Sequence, residues 1–320
     1  MKVAYFDCIA GASGDMILGA LLDAGLDLDL LKQEIGKLSL TNYDVGVEEV
    51  TKNGIGGSKA LIVIDQEHHR HHHRNLGTIT ELIERSSLSE SVREKSIAVF
   101  ERLAKAEARI HRSSIDDVHF HEVGAVDAII DIVGTVIGLE ALEVEKIYCS
   151  PLPLGTGTVQ AAHGTLPVPA PATLELLRGK PVYSNGIERE VLTPTAAAIL
   201  TTLASDFGTH PPLTLERIGY GAGTYELPIP NLLRLLVGEA AQQWCAPEVD
   251  KIAAFQARIE NIHPHRHGHM TDKLREMGAF HVSSIPVRTK KNGPGIQIEV
   301  VCREEMTQRL VQAVLEESGS

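Results

Sequence analysis

The pattern of hydrophobic and polar positions predicts a mixture of helices and strands along most of the chain. Apolar residues recur at helical spacing in DMILGALLDAG, which ends at Gly25, and again in DLDLLKQEIGKLS. Two alternating segments, YDVGVEEV and GSKALIVID, flank a turn-forming Asn53-Gly54 pair and predict a β-hairpin. The same patterns predict strands over 2–7, 214–220 and 232–238 and helices over 76–86, 90–110, 123–142, 172–178 and 195–204.

Two breaks in this pattern indicate how the chain is organised. The stretch from Pro151 to Pro171 is rich in glycine and proline, which predicts a segment that is largely loop. The segment EAAQQWCAPEVD is typical of a linker, and the elements after it follow the order strand, helix, strand, strand, helix. That order is typical of a ferredoxin-like unit without its last strand. We therefore predict an α+β protein with a larger mixed domain over 1–240, a linker over 241–250 and a small, incomplete ferredoxin-like domain over 251–320.

Composition and charge narrow the classes of function. The chain has 320 residues, of which 43% are hydrophobic and 22% charged, as in ordinary globular proteins. No apolar run reaches the roughly 18 residues of a membrane span, and the N-terminal segment predicts a strand rather than a signal peptide. We therefore expect a cytoplasmic protein that binds no membrane. The net charge of −12 argues against nonspecific binding of nucleic acid. The four cysteines show no C-x-x-C spacing, so neither a zinc ribbon nor a disulfide framework is indicated, and we expect reduced thiols.

A histidine-rich run, HHRHHHR, lies in the middle of the chain between a predicted strand and a predicted helix. A purification tag would stand at a terminus, so the position argues against a tag. Imidazole nitrogens bind nickel, zinc and copper, and such a run is a compositional signal for metal binding. A solvated polar loop is the alternative. The candidate metal ligands of this run are His68, His69, His71, His72 and His73.

The segment VHFHEVGAVDAIIDIVG predicts a strongly apolar helix that carries two carboxylates. Asp127 and Asp131 stand four residues apart on one face of that helix, where two negative charges repel each other and need a cation or a donor. His119, His121 and Glu122 precede the helix and could close a mixed nitrogen and oxygen site for a divalent metal. The alternative is that the carboxylates only accept hydrogen bonds from the backbone or from arginine.

The N-terminal segment YFDCIAGASGDMILGA combines a strand end with a helix start. Asp7 ends the predicted strand, and Ser13, Gly14 and Asp15 stand where the helix begins. Backbone N–H groups at a helix start can bind a phosphate, to which Ser13 can also donate. A simple capping turn explains the same residues.

The stretch SPLPLGTGTVQAAHGTLPVPAPAT has the composition of a shaped binding loop. Gly155 and Gly157 allow backbone conformations that other residues avoid, and the prolines stiffen the chain after them. His163 at its centre could be a ligand or a general acid or base, although a lone histidine is more often structural. Further polar candidates in two similar loops are Thr193, Thr195, Tyr220, Asn231 and Arg234.

Another histidine run, IHPHRHGHM, lies in the predicted C-terminal domain. In an extended backbone its alternating histidines would project from one face, and a bend at Pro264 would let neighbours converge on one metal ion. The alternative is a disordered polar entry to a helix that begins near Met270. The candidate ligands are His263, His265, His267 and His269.

Five motifs of this chain, taken together, resemble one family. YFDCIAGASGDM, FHEVGAVDAIIDIVG, SPLPLGTGTV with HGTLPVPAPAT, LTPTAAAIL and IGYGAG occur in the same order as in the nickel-insertion proteins of nickel-pincer cofactor biosynthesis. The resemblance covers nearly the whole chain. It implies a CTP-dependent cyclometallase, of the lyase class, that inserts nickel into a pyridinium bisthiocarboxylate mononucleotide and releases CMP and pyrophosphate. The finished cofactor serves lactate racemase and related enzymes.

The resemblance also implies cofactors, partners and roles. Ni²⁺, and Mg²⁺ or Mn²⁺ with CTP, are the expected cofactors. The expected partners are the mononucleotide, CTP, the recipient racemase apoenzyme and a second copy of the chain. A histidine-rich loop is characteristic of the family, so the loop at 67–75 is expected to collect nickel before insertion. Nucleotide binding is expected near Lys290 and Lys291, with a solvated basic turn as the alternative. The expected catalytic residues are Asp7, Asp15, His121, Glu122, Asp127, Asp131 and His163, and the other expected cofactor-binding residues are Ser13, Gly14, Gly155 and Gly157.

The chain departs from the family's pattern in its C-terminal part. His263-Pro264 stands where the family has an acidic pair, His281 where it has an aspartate, and Gly293 where an arginine is common. Oxygen ligands suited to Mg²⁺ are thus exchanged for imidazoles suited to nickel or zinc. The alternative function is therefore a non-catalytic nickel-binding chaperone or storage protein. Such a protein would turn over no nucleotide, and this would distinguish it from a cyclometallase.

Overall fold

The computed structural model describes residues 1–64, 74–115, 118, 120, 126–161, 164–241, 252–260, 262–289 and 293–318. The chain divides into two compact units, Met1–Gln242 and Gln243–Ser320. Each unit has its own hydrophobic core. Both units combine helices with a sheet, which confirms the predicted α+β class.

The first unit is built from a mixed set of helices and strands. Its described helices are α1 (Gly14–Asp23), α2 (Leu28–Ile35), α3 (Leu76–Glu84), α4 (Glu90–His111), α5 (Val126–Ala141), α6 (Pro171–Leu176) and α7 (Pro194–Leu203). Its described strands are β1 (Lys2–Asp7), β2 (Tyr43–Lys52), β3 (Ile55–Ile64), β4 (Lys146–Cys149), β5 (Leu152–Leu154), β6 (Thr158–Ala161), β7 (Gly164–Pro167), β8 (Val182–Ser184), β9 (Asp206–Phe207), β10 (Leu213–Ala222) and β11 (Leu232–Ala240).

The main sheet of the first unit has seven strands in the order β2-β3-β10-β11-β1-β4-β9. Strand β1 pairs antiparallel with β11 and parallel with β4, so Asp7 at its end lies opposite Arg234. Strands β2 and β3 form the predicted hairpin. Its turn residues Asn53 and Gly54 both have positive φ, 48° and 83°, which are the signs that a two-residue turn of type I′ requires.

Helix α1 packs against β3 and β10 at unusually close range. A Cβ atom on Gly221 would lie 1.7 Å from the carbonyl oxygen of Met16, and one on Gly219 would lie 2.0 Å from that of Ala20. No side chain fits at either place, so these glycines of the IGYGAG motif allow the backbone of the helix to touch the sheet. This close approach holds the start of α1 in place.

Helix α5 is apolar on nearly every side because it packs against α1, α2, α4 and α7. All but four of its residues are buried. Its charged residues are Asp127 and Asp131 near the start and Glu140 near the end. An ionised carboxylate in such surroundings is costly unless a partner compensates it, so the two aspartates are not explained by packing.

The second unit is a three-stranded antiparallel sheet with two helices. Its elements are β12 (Ile252–Glu260), α8 (Pro264–Glu276), β13 (His281–Arg288), β14 (Pro294–Arg303), a 3₁₀ turn (Glu304–Met306) and α9 (Thr307–Ser318). The strand order is β12-β14-β13. The predicted sequence of strand, helix, strand, strand, helix is therefore present. Across the described part of both units, no helix is long and apolar enough to cross a membrane.

Two predictions of local structure are wrong. The stretch 151–171 is not largely loop, because β6 and β7 form a hairpin there and β5 pairs with β8. The run that starts at His263 is neither extended nor an entry to a helix that begins near Met270, because Pro264 already begins helix α8. The His263 side chain accepts a hydrogen bond from the backbone N–H of His265. Proline suits the first turn of a helix, where its missing N–H would have no partner. Helical spacing therefore determines which of these histidines are neighbours.

Candidate functional site

A pocket of about 380 Å³ lies where the starts of α1 and α5 meet strand β3. We call it the aspartate pocket. Its polar lining residues are Ser13, Asp15, Lys59, Asp127, Asp131, Thr193 and Thr195. The structure thus brings together residues from four distant segments of the chain, three of them from the motifs identified in the sequence.

The three carboxylates of the pocket meet because two helices begin there. Asp15 lies in the first turn of α1, and Asp127 lies in the first turn of α5 with Asp131 one turn further on. A negative charge is favourable at the positive end of a helix dipole, which offsets part of their repulsion. Gly14 makes the contact between the helices possible, because a Cβ atom there would lie 2.2 Å from Oδ2 of Asp131.

Asp131 has the least compensated environment of the three. Its Oδ1 atom is inaccessible to solvent and has no hydrogen-bond partner in the described part of the chain. Burial raises the pKa of Asp131 well above its ordinary value, and the charges of Asp15 and Asp127 raise it further. A buried oxygen without a partner among the described residues, in a pocket lined by two further carboxylates, is a place where added positive charge would be stabilised.

The hydrogen bonds of the other two aspartates do not compensate Asp131. Asp15 accepts from the hydroxyl of Ser13 and, at 3.0 Å, from the backbone N–H of Met16. Asp127 accepts at 2.9 Å from the backbone N–H of Ala128. Ser13 stands at the N-cap of α1, but its side chain makes no capping bond. The simple capping turn considered for Ser13 is therefore not observed, because its hydroxyl donates to a carboxylate of the pocket instead.

A smaller pocket of about 150 Å³ adjoins the aspartate pocket, with which it shares Ser13, Asp15 and Thr193. We call it the arginine pocket. The residues that distinguish it from its neighbour include Arg189, Tyr225 and Asn231. Sequence reasoning missed Arg189 and Lys59. Lys59 stands in an alternating strand between the buried residues Ser58 and Ala60, which is a weak signal, and no signal in the sequence distinguishes Arg189.

Of the predicted binding glycines, Gly14 lines the aspartate pocket, whereas Gly155 and Gly157 line neither pocket. A Cβ atom on Gly155 would lie 1.8 Å from the carbonyl oxygen of Arg189, and one on Gly157 would lie 3.8 Å from that of Glu188. Both glycines therefore pack on the segment that leads to Thr193. A role of Gly155 and Gly157 in direct ligand binding stays a prediction.

Asp7 is separated from the other aspartates. Its Oδ2 atom accepts from Nε of Arg234 at 3.1 Å, and Nη2 of the same guanidinium also donates to it. This hydrogen bond is the main reason that the pKa of Arg234 is raised. Asp7 lines neither pocket, so its predicted catalytic role gains no support from the geometry.

Two cysteines lie close together in the core of the first unit. The Sγ atoms of Cys8 and Cys149 are 3.8 Å apart, and both residues are fully buried. The hydrogen bond to Cys8, together with burial, raises the pKa of Cys149. These thiols are free, as expected, and the raised pKa keeps Cys149 in the neutral form rather than in the thiolate form that binds metals.

Many predicted metal ligands lie outside the described residues, and their roles stay predictions. These are His68, His69, His71, His72, His73, His119, His121 and Glu122, together with His163, Lys290 and Lys291. Within the described ranges, no three His, Cys, Asp or Glu residues form a group that could hold a metal ion. This includes the three carboxylates of the aspartate pocket, so a metal ion there would need ligands from outside this set. On α8, Nε2 of His267 lies 2.8 Å from the hydroxyl of Ser284. His265 and His269 are exposed.

The fold and the two pockets define a class of protein: a two-unit α+β protein with a pocket lined by three carboxylates beside a smaller pocket lined by an arginine. A family model described as nickel insertion protein matches residues 4–320. The chain therefore belongs to the nickel insertion protein family, which confirms the resemblance found in the sequence.

Two curated relatives match most of the chain. A putative nickel insertion protein of Dictyoglomus thermophilum is 45% identical over 318 residues, 99% of this chain and 81% of the relative. The pyridinium-3,5-bisthiocarboxylic acid mononucleotide nickel insertion protein of Desulfitobacterium hafniense is 47% identical over 303 residues, 94% of this chain and 75% of the relative. A solved structure of LarC2, the C-terminal domain of a cyclometallase involved in the synthesis of the NPN cofactor of lactate racemase, is 21% identical and covers 21% of this chain and 49% of that chain. Its TM-score of 0.20 is too low to support a structural argument.

Proposed function

We propose that this chain inserts nickel into pyridinium-3,5-bisthiocarboxylic acid mononucleotide, the compound that the relative's name specifies. The observation that supports this most directly is the buried Oδ1 atom of Asp131, which lacks a hydrogen-bond partner among the described residues and lies in a pocket with Asp15 and Asp127. A divalent cation beside Asp131 would supply the missing interaction.

The chemistry of insertion makes specific demands on this pocket. A C–H bond of the pyridinium ring breaks, its electron pair forms the bond to nickel, and the proton goes to a base. In this proposal Asp15 and Asp127 hold nickel by charge, and a carboxylate of the pocket accepts the proton. The two thiocarboxylate sulfurs of the substrate supply the soft ligands. The protein thus positions the metal beside the ring, and the organic substrate completes the coordination.

The proposal includes CTP as a second substrate and places the reaction in the lyase class. This part rests on the family resemblance. Mg²⁺ or Mn²⁺ would stabilise the charge on the phosphates as CTP is cleaved. We assign the mononucleotide to the first unit and the nucleotide to the second, near Lys290 and Lys291. A cytoplasmic homo-oligomer that delivers the product to a lactate racemase-type apoenzyme completes the proposal.

The test is a reaction of the full chain with nickel, the mononucleotide, CTP and Mg²⁺, analysed by mass spectrometry. We expect the nickel-containing mononucleotide to accumulate, and none to form when nickel is omitted. Product formation without CTP would remove CTP from the proposal but leave insertion intact. Stoichiometric nickel binding with no product in the complete mixture would contradict insertion, and it is the result that a storage protein would give.

A further inference from the structure

The arginine pocket continues the aspartate pocket and adds a guanidinium to it. The two pockets meet at Ser13, Asp15 and Thr193, so one ligand can occupy both. Among the described residues that line the arginine pocket, Arg189 carries the only positive charge. Asp15 lies where the two pockets meet. The aspartate end is lined by Asp127, Asp131 and Lys59, and the other end by Arg189 and Glu190.

The guanidinium of Arg189 is held by an aromatic ring. Its central carbon lies 4.4 Å from the centre of the Tyr225 ring, a distance typical of cation–π stacking. Stacking uses the face of the planar guanidinium and leaves its N–H groups, which lie in the plane, free to donate. Arg189 itself is exposed, so ordering its side chain costs conformational entropy that the stacking offsets in part.

The backbone that carries Arg189 is fixed from two sides. On one side, the carbonyl oxygen of Arg189 lies so close to Gly155 that no Cβ atom fits between them, and the N–H of Thr156 donates to the carbonyl of Ile187 at 2.9 Å. On the other side, the N–H of Ala12 donates to the carbonyl of Val191 at 2.8 Å. The segment is thus tied to the same N-terminal loop that leads to Ser13 and Asp15.

The backbone that carries the Tyr225 ring is also fixed. Asn231 is 6% exposed, and its Nδ2 atom donates to the carbonyl oxygen of Tyr225 at 2.8 Å. The backbone carbonyl of Asn231 accepts a hydrogen bond from the backbone N–H of Gly223 at 3.0 Å. A Cβ atom on Gly223 would lie 2.5 Å from Nδ2 of Asn231, so glycine is required for this closure. A buried asparagine therefore sets the position of the loop from 223 to 231.

We infer that Arg189 binds an anionic group of the organic substrate, either its phosphate or a thiocarboxylate, while the metal lies at the aspartate end. This deepens the proposed function, on which the identity of the ligand rests. Arg189 then orients the substrate, because its N–H groups donate to the anionic group, while Asp127 and Asp131 at the far end repel that group. Arg189 determines which end of the substrate faces the metal.

The test measures binding of the mononucleotide to the full chain by calorimetry without nickel or CTP. Arg189→Gln should weaken binding about ten- to a hundredfold, since a charge-assisted hydrogen bond is lost, and Arg189→Lys should lie between it and the wild type. Arg178→Gln is the matched control, because Arg178 is an exposed arginine that pairs with Glu175 and lines neither pocket. All three variants should melt at the wild-type temperature.

A second arm distinguishes the two anionic groups. With the dephosphorylated nucleoside as the probe, Arg189→Gln should have no effect if Arg189 binds the phosphate, and should weaken binding as before if it binds a thiocarboxylate. Equal binding of the mononucleotide to the wild type and to Arg189→Gln would overturn the inference while leaving nickel insertion standing. If the variant binds the mononucleotide more weakly but the wild type makes no product, the result would support the role of Arg189 in binding and contradict the proposed function. Failure of the wild type to bind the mononucleotide would overturn both.

Discussion

Three carboxyl groups line one pocket at the starts of α1 and α5, and at the scale of single residues the burial of Asp131 beside two negative charges is the main property of that pocket. Burial is the main cause of the raised pKa of Asp131, and the charges of Asp15 and Asp127 raise that pKa further. The folded chain therefore favours a protonated Asp131 or a bound cation. Binding of a cation would release a proton, so affinity should increase with pH.

The raised pKa of Asp131 predicts how stability depends on pH in the absence of metal. Above the ordinary carboxyl pKa the unfolded chain loses this proton, while the folded chain keeps it up to the raised pKa. The folded state then binds more protons, so the free energy of unfolding falls as the pH rises through that window. Asparagine does not titrate, so Asp131→Asn should lessen this fall and be more stable than the wild type at neutral pH. Urea unfolding across the pH range measures this. A variant that is less stable at every pH would contradict it.

Gly14 gives a second prediction at the same contact. Gly14→Ala would place a methyl group 2.2 Å from Oδ2 of Asp131, so it should destabilise the fold by about 1–3 kcal/mol, as overpacking does. Gly268→Ala, at a helical position with nothing within 4 Å, is the control and should instead stabilise by about 0.5–1 kcal/mol. Thermal unfolding compares them. If Asp131→Ala does not relieve the cost of Gly14→Ala in the double variant, the contact is not its cause.

The sequence predicted which residues belong to the site better than it predicted which of them lie next to one another. The spacing of Asp127 and Asp131 in an apolar helix placed both on one face, because that relation is local. The contact of Asp131 with Gly14 and the pairing of Asp7 with Arg234 join segments more than a hundred residues apart. Such contacts depend on the fold, so periodicity could not predict that Asp15 lines the pocket while Asp7 does not.

At the scale of elements, long periodic segments were predicted well and short ones were not. The predicted helix over 90–110 is α4 (Glu90–His111), and the predicted strand over 232–238 is β11 (Leu232–Ala240). Strands β5 to β8 have three or four residues each, too few to show a period, and the glycines and prolines around β5, β6 and β7 indicated a loop. The alternation of histidines before Met270 suggested an extended segment, but Pro264 in a first helical turn determined the structure.

The helical spacing of residues in α8 predicts which of its histidines can share a metal ion. His265 and His269 stand one turn apart on one face, whereas His263 accepts a backbone hydrogen bond and His267 contacts Ser284. In a chain with the histidines at 68, 69, 71, 72 and 73 changed to Asn, the double variant His265→Ala/His269→Ala should bind fewer nickel or zinc ions at about pH 7.5. Binding at the aspartate pocket should remain. The control His263→Ala/His267→Ala should bind as many ions as its parent, and binding should weaken near pH 5.5 as protons compete. Equal loss in both double variants, measured by calorimetry, would argue against the pair.

At the scale of the whole molecule, two units with separate cores are joined in one chain that matches a single family along almost its entire length. The net charge of −12 favours the capture of cations, while a separate cation, Arg189, is available for an anionic substrate. The proposed division of labour places collection of nickel in the histidine-rich loop and insertion in the aspartate pocket.

That division predicts separable effects on binding and on insertion. Replacing His68, His69, His71, His72 and His73 with Asn should lower the number of nickel ions bound per chain in equilibrium dialysis, because imidazole ligands are removed. Insertion at saturating nickel should continue, since the pocket is unchanged. An unchanged nickel stoichiometry would show that the loop is not a reservoir.

The most direct test of the account is the rate of nickel insertion by Asp131→Asn, measured by mass spectrometry at saturating nickel, mononucleotide and CTP. Asparagine keeps the shape of the side chain and removes its charge, and Asp206→Asn, at an exposed aspartate that lines neither pocket, is the control. We predict that the rate of insertion falls at least about a hundredfold in Asp131→Asn, because a charge that stabilises the reacting groups is removed. The melting temperature of this variant should equal or exceed that of the wild type. The control should insert nickel normally. Insertion by Asp131→Asn at the wild-type rate would contradict the assignment of the aspartate pocket as the site of the reaction.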